Sequence, residues 1–209
     1  DLSSVYIGAR QSRFGIEGEA NTKVGHIRTY MEVDFASTTS SFWRLRHAYA
    51  EWNYFKIGHT WSTFMDNASL PTTVEFEGPN SSLSKRHGLI RYERKYGEQS
   101  IVGVSIEAPV SDYFNPADSL LEGKNKQGNF DIAGRYKHLQ KWGHVQLAGI
   151  FRRIDYLNDD HIDELYGWGI LLSSVKKLNE KNTFYTQYSL GESIANYYVG
   201  FSNRQLDAV

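Results

Sequence analysis

The stretch Val24-Gly25-His26-Ile27-Arg28-Thr29-Tyr30-Met31-Glu32-Val33-Asp34-Phe35-Ala36 alternates. Ile27, Met31, Val33 and Phe35 fall on one face of an extended chain, and Arg28, Tyr30, Glu32 and Asp34 on the other. A period of two with one apolar face is the pattern of a half-buried β-strand. The segment before it repeats the pattern, with Phe14, Ile16 and Ala20 against Arg13, Glu17 and Glu19. Ala20-Asn21-Thr22-Lys23 supplies a short turn, so the two segments form a hairpin.

The same reading extends along the chain. Val102, Val104, Ile106 and Ala108 oppose Ser105 and Glu107; Phe130, Ile132 and Tyr136 oppose Asp131, Arg135 and Lys137; Val145, Leu147 and Phe151 oppose His144, Gln146 and Arg152. With the segments near 43–52, 54–61, 86–96, 164–176 and 182–190 this gives about ten strands, most near the ~9–11 residues of a tilted membrane-spanning strand. No segment competes as a helix, and no stretch approaches the roughly 18 apolar residues a spanning helix needs.

Connection lengths add an independent constraint. Glu51–Tyr54, Lys95–Glu98, Gln140–Gly143 and Leu178–Asn182 are tight turns, whereas 62–85, 110–127 and 155–163 are long. Short turns at one end and long loops at the other are the arrangement of a transmembrane β-barrel. Aromatic residues gather at segment ends: Trp43, Trp52 and Tyr54, Tyr92 and Tyr96, Tyr136 and Trp142, Tyr166 and Trp168. They match interfacial girdles, although aromatic residues are enriched in strands generally. The fold expected is all-β, an antiparallel transmembrane barrel, with residues 1–209 part of that single barrel domain.

Composition is compatible with this. A mean hydropathy of −0.51 reads as water-soluble only when averaged, because half of each barrel strand is polar. The absence of cysteine removes disulfides and thiolate metal sites. A net charge of −1 argues against a nucleic-acid partner. The chain opens at Asp1 without a charged and then apolar leader, so a secretory signal is expected to lie outside these residues. No P-loop, H-E-x-x-H or G-x-S-x-G motif occurs, and no cofactor is expected.

Three motifs are more specific. Ala9-Arg10-Gln11-Ser12-Arg13-Phe14-Gly15-Ile16, Phe42-Trp43-Arg44-Leu45-Arg46-His47-Ala48-Tyr49 and Gly58-His59-Thr60-Trp61-Ser62-Thr63-Phe64-Met65-Asp66 resemble the DcaP-like porins of Gram-negative outer membranes. Leu70-Pro71, Phe76-Glu77-Gly78-Pro79 and Leu89-Ile90-Arg91-Tyr92 continue the likeness. The resemblance implies a sixteen-stranded barrel and a homotrimer embedded among outer-membrane lipid and lipopolysaccharide. It also implies passive diffusion of small anionic solutes such as dicarboxylates. Since only about ten strands are present, and Phe201–Val209 reads as an unfinished loop, the chain is expected to be part of a barrel.

In such a channel the polar strand faces would line the pore. Arg13, Arg28, Arg44, Arg46, Arg91, Arg135 and Arg152 have that parity, and guanidinium forks bind carboxylates. They are the expected pore-lining, anion-selecting residues. The alternative is that they pair with Glu17, Glu19, Glu32, Asp34, Glu93, Glu107 and Asp131 and only solvate the wall. Arg44 and Arg46 stand apart, since no acid shares their face of the strand. Segment 62–85, with Asp66, Glu75 and Glu77, is read as a loop folded into the lumen, its acids facing the arginine wall. His47, Glu51 and His59 share parity with apolar residues, which places them at an expected subunit interface. The acidic run Asn158–Glu164 lacks the spacing of a calcium loop, so it is read as solvated and no metal site is expected. A lipase-like outer-membrane barrel and a soluble sugar- or peptide-binding β-sandwich are the competing readings.

Overall fold

The computed structural model describes residues 8–36, 43–74, 78–109, 128–158, 161–201 and 207, and gives only the backbone of 156–158 and 161–163. Ten strands run in chain order: β1 (Arg13–Thr22), β2 (Gly25–Asp34), β3 (Arg44–Trp52), β4 (Phe55–Trp61), β5 (Arg86–Tyr96), β6 (Ser100–Glu107), β7 (Asp131–Gln140), β8 (Gly143–Asn158), β9 (His161–Lys177) and β10 (Thr183–Glu192). They form one antiparallel sheet in which each strand pairs with its sequence neighbours, and β1 and β10 are the edges. A single sheet of this extent is not a two-layer sandwich, and its all-β, antiparallel architecture is that of a barrel wall.

The two faces are sharply different. Ala50, Ile57, Ile90, Ile106, Ile132, Phe151 and Trp168 are successive cross-strand partners from β3 to β9. From Ile57 onward these residues are between 39% and 54% exposed. On the opposite face Glu107, Asp131, Gln146 and Arg152 are wholly buried. Apolar residues outside and charged residues inside reverse the arrangement of a water-soluble domain and suit a wall with hydrocarbon on one side.

Aromatic rings close both ends of the apolar band. At the tight-turn end Trp52 stacks on Phe55 with centroids 6.3 Å apart, Phe55 meets Tyr92 edge-on at 5.4 Å, and the Trp52 indole N–H donates to the Val24 carbonyl at 2.8 Å. At the other end Phe14, Phe35 and Trp43 form a cluster with centroids 5.1–6.2 Å apart. Rings with an apolar body and a polar edge suit the boundary between lipid and water.

Two features depart from the alternation. In β3 the register shifts: Glu32 pairs with His47 but Val33 with Leu45, so Arg46 is an extra residue on that strand. This β-bulge inverts the parity that follows, turning His47, Tyr49 and Glu51 to the polar face and Ala48 and Ala50 to the apolar one. Of the stretch 155–163, expected as a long loop, residues 155–158 and 161–163 instead extend β8 and β9, with Asn158 opposite His161 as the last pair. Asp159 and Asp160 lie outside the described residues.

Candidate functional site

The polar face is covered by the chain itself. After β4 the backbone turns onto this face, and Phe64 and Met65 pack, fully buried, against Ala133, Ala148, Ile150 and Leu171. Each such side chain contributes about 1.5–3 kcal/mol by leaving water. The small side chains of Ala133 and Ala148 leave space at the wall for the two large ones.

Polar tethers fix the segment along its length. The Thr63 amide donates to Glu107 Oε1 at 2.7 Å, and its hydroxyl oxygen accepts from Arg91 Nε and Ser105 Oγ, both at 2.7 Å. Asp66 is the hub. Its Oδ1 accepts from Lys137 Nζ at 2.8 Å; its Oδ2 accepts from Ser173 Oγ at 2.8 Å and lies 2.6 Å from His144 Nε2. Gln146 donates to the Met65 carbonyl at 3.1 Å and Gln187 to Ser69 Oγ at 2.7 Å. Burial pushes the Asp66 carboxyl up, but Lys137, His144 and Ser173 outweigh it and hold the group below the ordinary carboxylate value.

A second segment, 193–199, lies alongside. Ser84 N–H donates to the Tyr197 carbonyl at 2.8 Å and Val199 N–H to the Ser82 carbonyl at 2.9 Å. Tyr197 packs edge-on against Phe64 at 5.6 Å and donates its hydroxyl to Asp131 Oδ2 at 3.0 Å. Burial and the Asp131 charge raise the phenol well above its ordinary value, which keeps it a donor. Arg152, fully buried, binds Asp131 at 3.0 Å and lies 3.4 Å from Asp207.

All seven expected arginines lie on the polar face, yet most are neutralised there. Arg28 is clamped by Glu17 at 2.5 Å and Glu51 at 2.7 Å. Arg13 lies 3.9 Å from Glu32, and Arg135 binds Glu93. Arg44 makes a two-point contact with Asp34 at 2.9 and 2.7 Å; Arg46 binds Glu32 at 2.6 Å and Asp34 at 2.8 Å. The excess positive charge expected at Arg44 and Arg46 is therefore absent, because β2 supplies acids that a reading of β3 alone misses. Arg91 differs: among the described residues it donates to the neutral Thr63 hydroxyl and Trp61 carbonyl. Arg86, missed in the sequence reading, lies with its guanidinium 4.4 Å from the Trp61 ring and makes no ion pair among the described residues.

The other expected site residues are redistributed. Asp66 faces β7 to β9 and not the arginines of β3; Glu75 and Glu77 lie outside the described residues. Glu51 binds Arg28 and Lys56, and His47 Nδ1 lies 3.0 Å from Thr60 Oγ1, both on the polar face, so the reason for assigning them to an outer interface fails. His59 stays in the outer row, between Ala48 and Gly88. Toward the tight-turn end an open cleft of about 360 Å³ is lined by His26, Arg28, Glu51, Lys56, Arg91 and Glu93 among others, three permanent cations against two acids.

An uncovered apolar band, girdled ends and a polar face filled by inward segments define an outer-membrane β-barrel protein. The DcaP outer membrane protein family profile matches residues 2–208, and the chain belongs to that family. It is similar in fold to the crystal structure of the outer membrane channel DcaP of Acinetobacter baumannii, with a TM-score of 0.81 at 22% identity. That match covers 92% of this chain and 55% of the solved one, so the chain spans about half the length of that channel. No curated protein sequence matches.

The Asp66 hub makes a direct prediction. Asp66→Asn leaves Lys137 without its buried carboxylate partner, at a cost of about 3 kcal/mol, and frees the inward segment. Limited trypsin digestion of the folded protein is expected to cut after Lys85 in the variant and not in the native chain. Because the Asp66 value is depressed, its contribution is complete above about pH 4 and is lost as pH falls through the lower folded value, so the native chain resists cleavage at pH 5. Equal resistance of variant and native chain contradicts the assignment.

Proposed function

We propose that the assembled protein is a porin, an aqueous channel for passive diffusion of small solutes with a preference for anions such as dicarboxylates. The observation that carries this reading is Arg91. Its guanidinium is anchored by neutral acceptors, so its charge stays available at the edge of a cleft that already holds Arg28 and Lys56. Arg86 adds a second cation without an ion pair among the described residues. A channel selects by width and by lining charge, and an unneutralised cation attracts an anion without gripping it.

In this reading the 62–85 segment is the constriction. Phe64, Met65 and the Asp66 hub hold it on the polar face, where it narrows the aqueous path. The other six expected arginines maintain a charge-balanced wall. The outer surface meets outer-membrane lipid and lipopolysaccharide. A homotrimer is supported by the flat, weakly apolar outer patch of Ala48, Ala50, Gly88 and His59, which another protomer would cover better than acyl chains would.

Planar-bilayer recording tests the reading. The native protein is expected to conduct and to favour chloride over potassium in a salt gradient. Arg91→Gln is expected to move the reversal potential toward cation selectivity while leaving conductance within about twofold. Absence of conductance in the native protein would reject the channel, and an unchanged reversal potential would reject Arg91 as its selecting charge. The detergent-solubilised mass is expected to correspond to three chains; one chain per particle would reject the trimer.

A further inference from the structure

On the outward face of the sheet, at its tight-turn end, Arg94 interrupts the apolar band, and Lys176 borders that band two rows further out. Arg94 is the cross-strand partner of Val102 and continues the outer row Val102, Tyr136, Leu147, Leu172 and Tyr188. It is exposed, and its guanidinium carbon lies 5.2 Å from the Tyr54 ring and 5.3 Å from the Tyr96 ring. It makes no ion pair among the described residues, unlike Arg28, Arg44, Arg46, Arg135 and Arg152 on the inner face.

A polar ledge lies on the next two strands, β6 and β7. The Ser100 and Tyr136 hydroxyl oxygens are 3.1 Å apart, and the His138 ring stacks on Tyr136 at 6.4 Å. One row further toward the centre of the band, Gly134 and Gly149 are direct partners on adjacent strands. Cβ atoms added there would meet nothing nearer than backbone oxygens at 3.8 and 3.7 Å, so the pair floors an open notch. Exposed Val104 and Ile170 flank it in the same row, with Phe151 above and Leu147 below.

We infer that Arg94 and this notch form a binding site for one anionic phospholipid of the leaflet at the tight-turn end. The phosphate sits on the Arg94 guanidinium within reach of the Ser100, Tyr136 and His138 polar groups, and an acyl chain lies along Gly134 and Gly149. Charge complementarity carries the assignment. A guanidinium between two aromatic rings on a lipid-facing surface needs a counter-charge, the described protein supplies none, and the membrane surface does. Gly134 lies two strands, about 10 Å, across the sheet from Arg94 and about 7 Å further along it, so the lipid lies aslant, its phosphate at Arg94 and its chain running toward the centre of the band.

Native mass spectrometry of the detergent-purified protein, incubated with phosphatidylglycerol or phosphatidylethanolamine, tests this. One phosphatidylglycerol per chain is expected to survive activation that strips phosphatidylethanolamine. Arg94→Gln is expected to lower the retained phosphatidylglycerol by about fivefold or more. Gly149→Val, which fills the notch and leaves Arg94 in place, is expected to lower it as well. Unchanged heat-modifiable migration on gels certifies that both variants are folded. Equal retention of the two lipids, or retention by Arg94→Gln at the native level, overturns the site. So does Arg94→Gln lowering the number of chains per particle while lipid retention stays constant, which would assign the surface to a second copy of the chain.

Discussion

Among the described residues the row Ile57, Ile90, Ile106, Ile132, Phe151 and Trp168 has no protein layer over it, and the rest of the architecture answers to that constraint. Six large apolar side chains left in water would each forfeit about 1.5–3 kcal/mol. The same surface in hydrocarbon forfeits nothing, provided that backbone donors and acceptors pair within the sheet. Neighbour-to-neighbour antiparallel pairing does this with the shortest connections, and aromatic rings at both ends mark where hydrocarbon gives way to water. Polar residues are thereby confined to the inner face, where charge must be balanced by charge.

That balance is achieved across strands. Asp34 serves Arg44 and Arg46, Glu51 serves Arg28 and Lys56, and Asp131 serves Arg152. Over β7 to β9 the inner face is covered: Ala133, Ala148, Ile150 and Leu171 receive Phe64 and Met65, and Asp66 holds the segment through Lys137, Ser173 and His144. At the tight-turn end of β2 to β5 the face stays open and charged, with Arg91 anchored by neutral groups at the cleft edge. The sheet thus separates a wall that anchors an inward segment from a wall that presents charge to water.

Much of this was legible in the residues because period two survives in sequence wherever the ladder is regular. β2, β6, β7 and the first half of β8 gave their faces directly, and the motifs from Ala9 to Tyr92 placed the chain near its family. The bulge at Arg46 was not legible, since one inserted residue leaves composition unchanged while reversing His47, Tyr49 and Glu51. The pairing of Arg44 with Asp34 was hidden for a related reason: it depends on register between strands, which alternation within a strand does not specify. Lys137, His144 and Ser173 carried the correct parity, but nothing local tied them to Asp66, up to 107 residues away. Segment 193–199 drew no reading from the sequence, because Ile194 and Tyr197 follow no strand period.

Accessibility on the two faces of the sheet tests the two-faced wall most directly, and the absence of cysteine from this chain makes each introduced thiol unique within it. Lys56→Cys and Glu93→Cys lie on the inner face at the cleft, and Ile106→Cys and Ile132→Cys on the outer face, away from the proposed subunit interface. In lipid vesicles the first pair is expected to react with a charged, water-soluble maleimide. The second pair is expected to stay unreactive and, once labelled before reconstitution, to be quenched by nitroxides on the acyl chains. Reaction of all four positions at similar rates, without acyl-chain quenching at 106 and 132, would contradict the account.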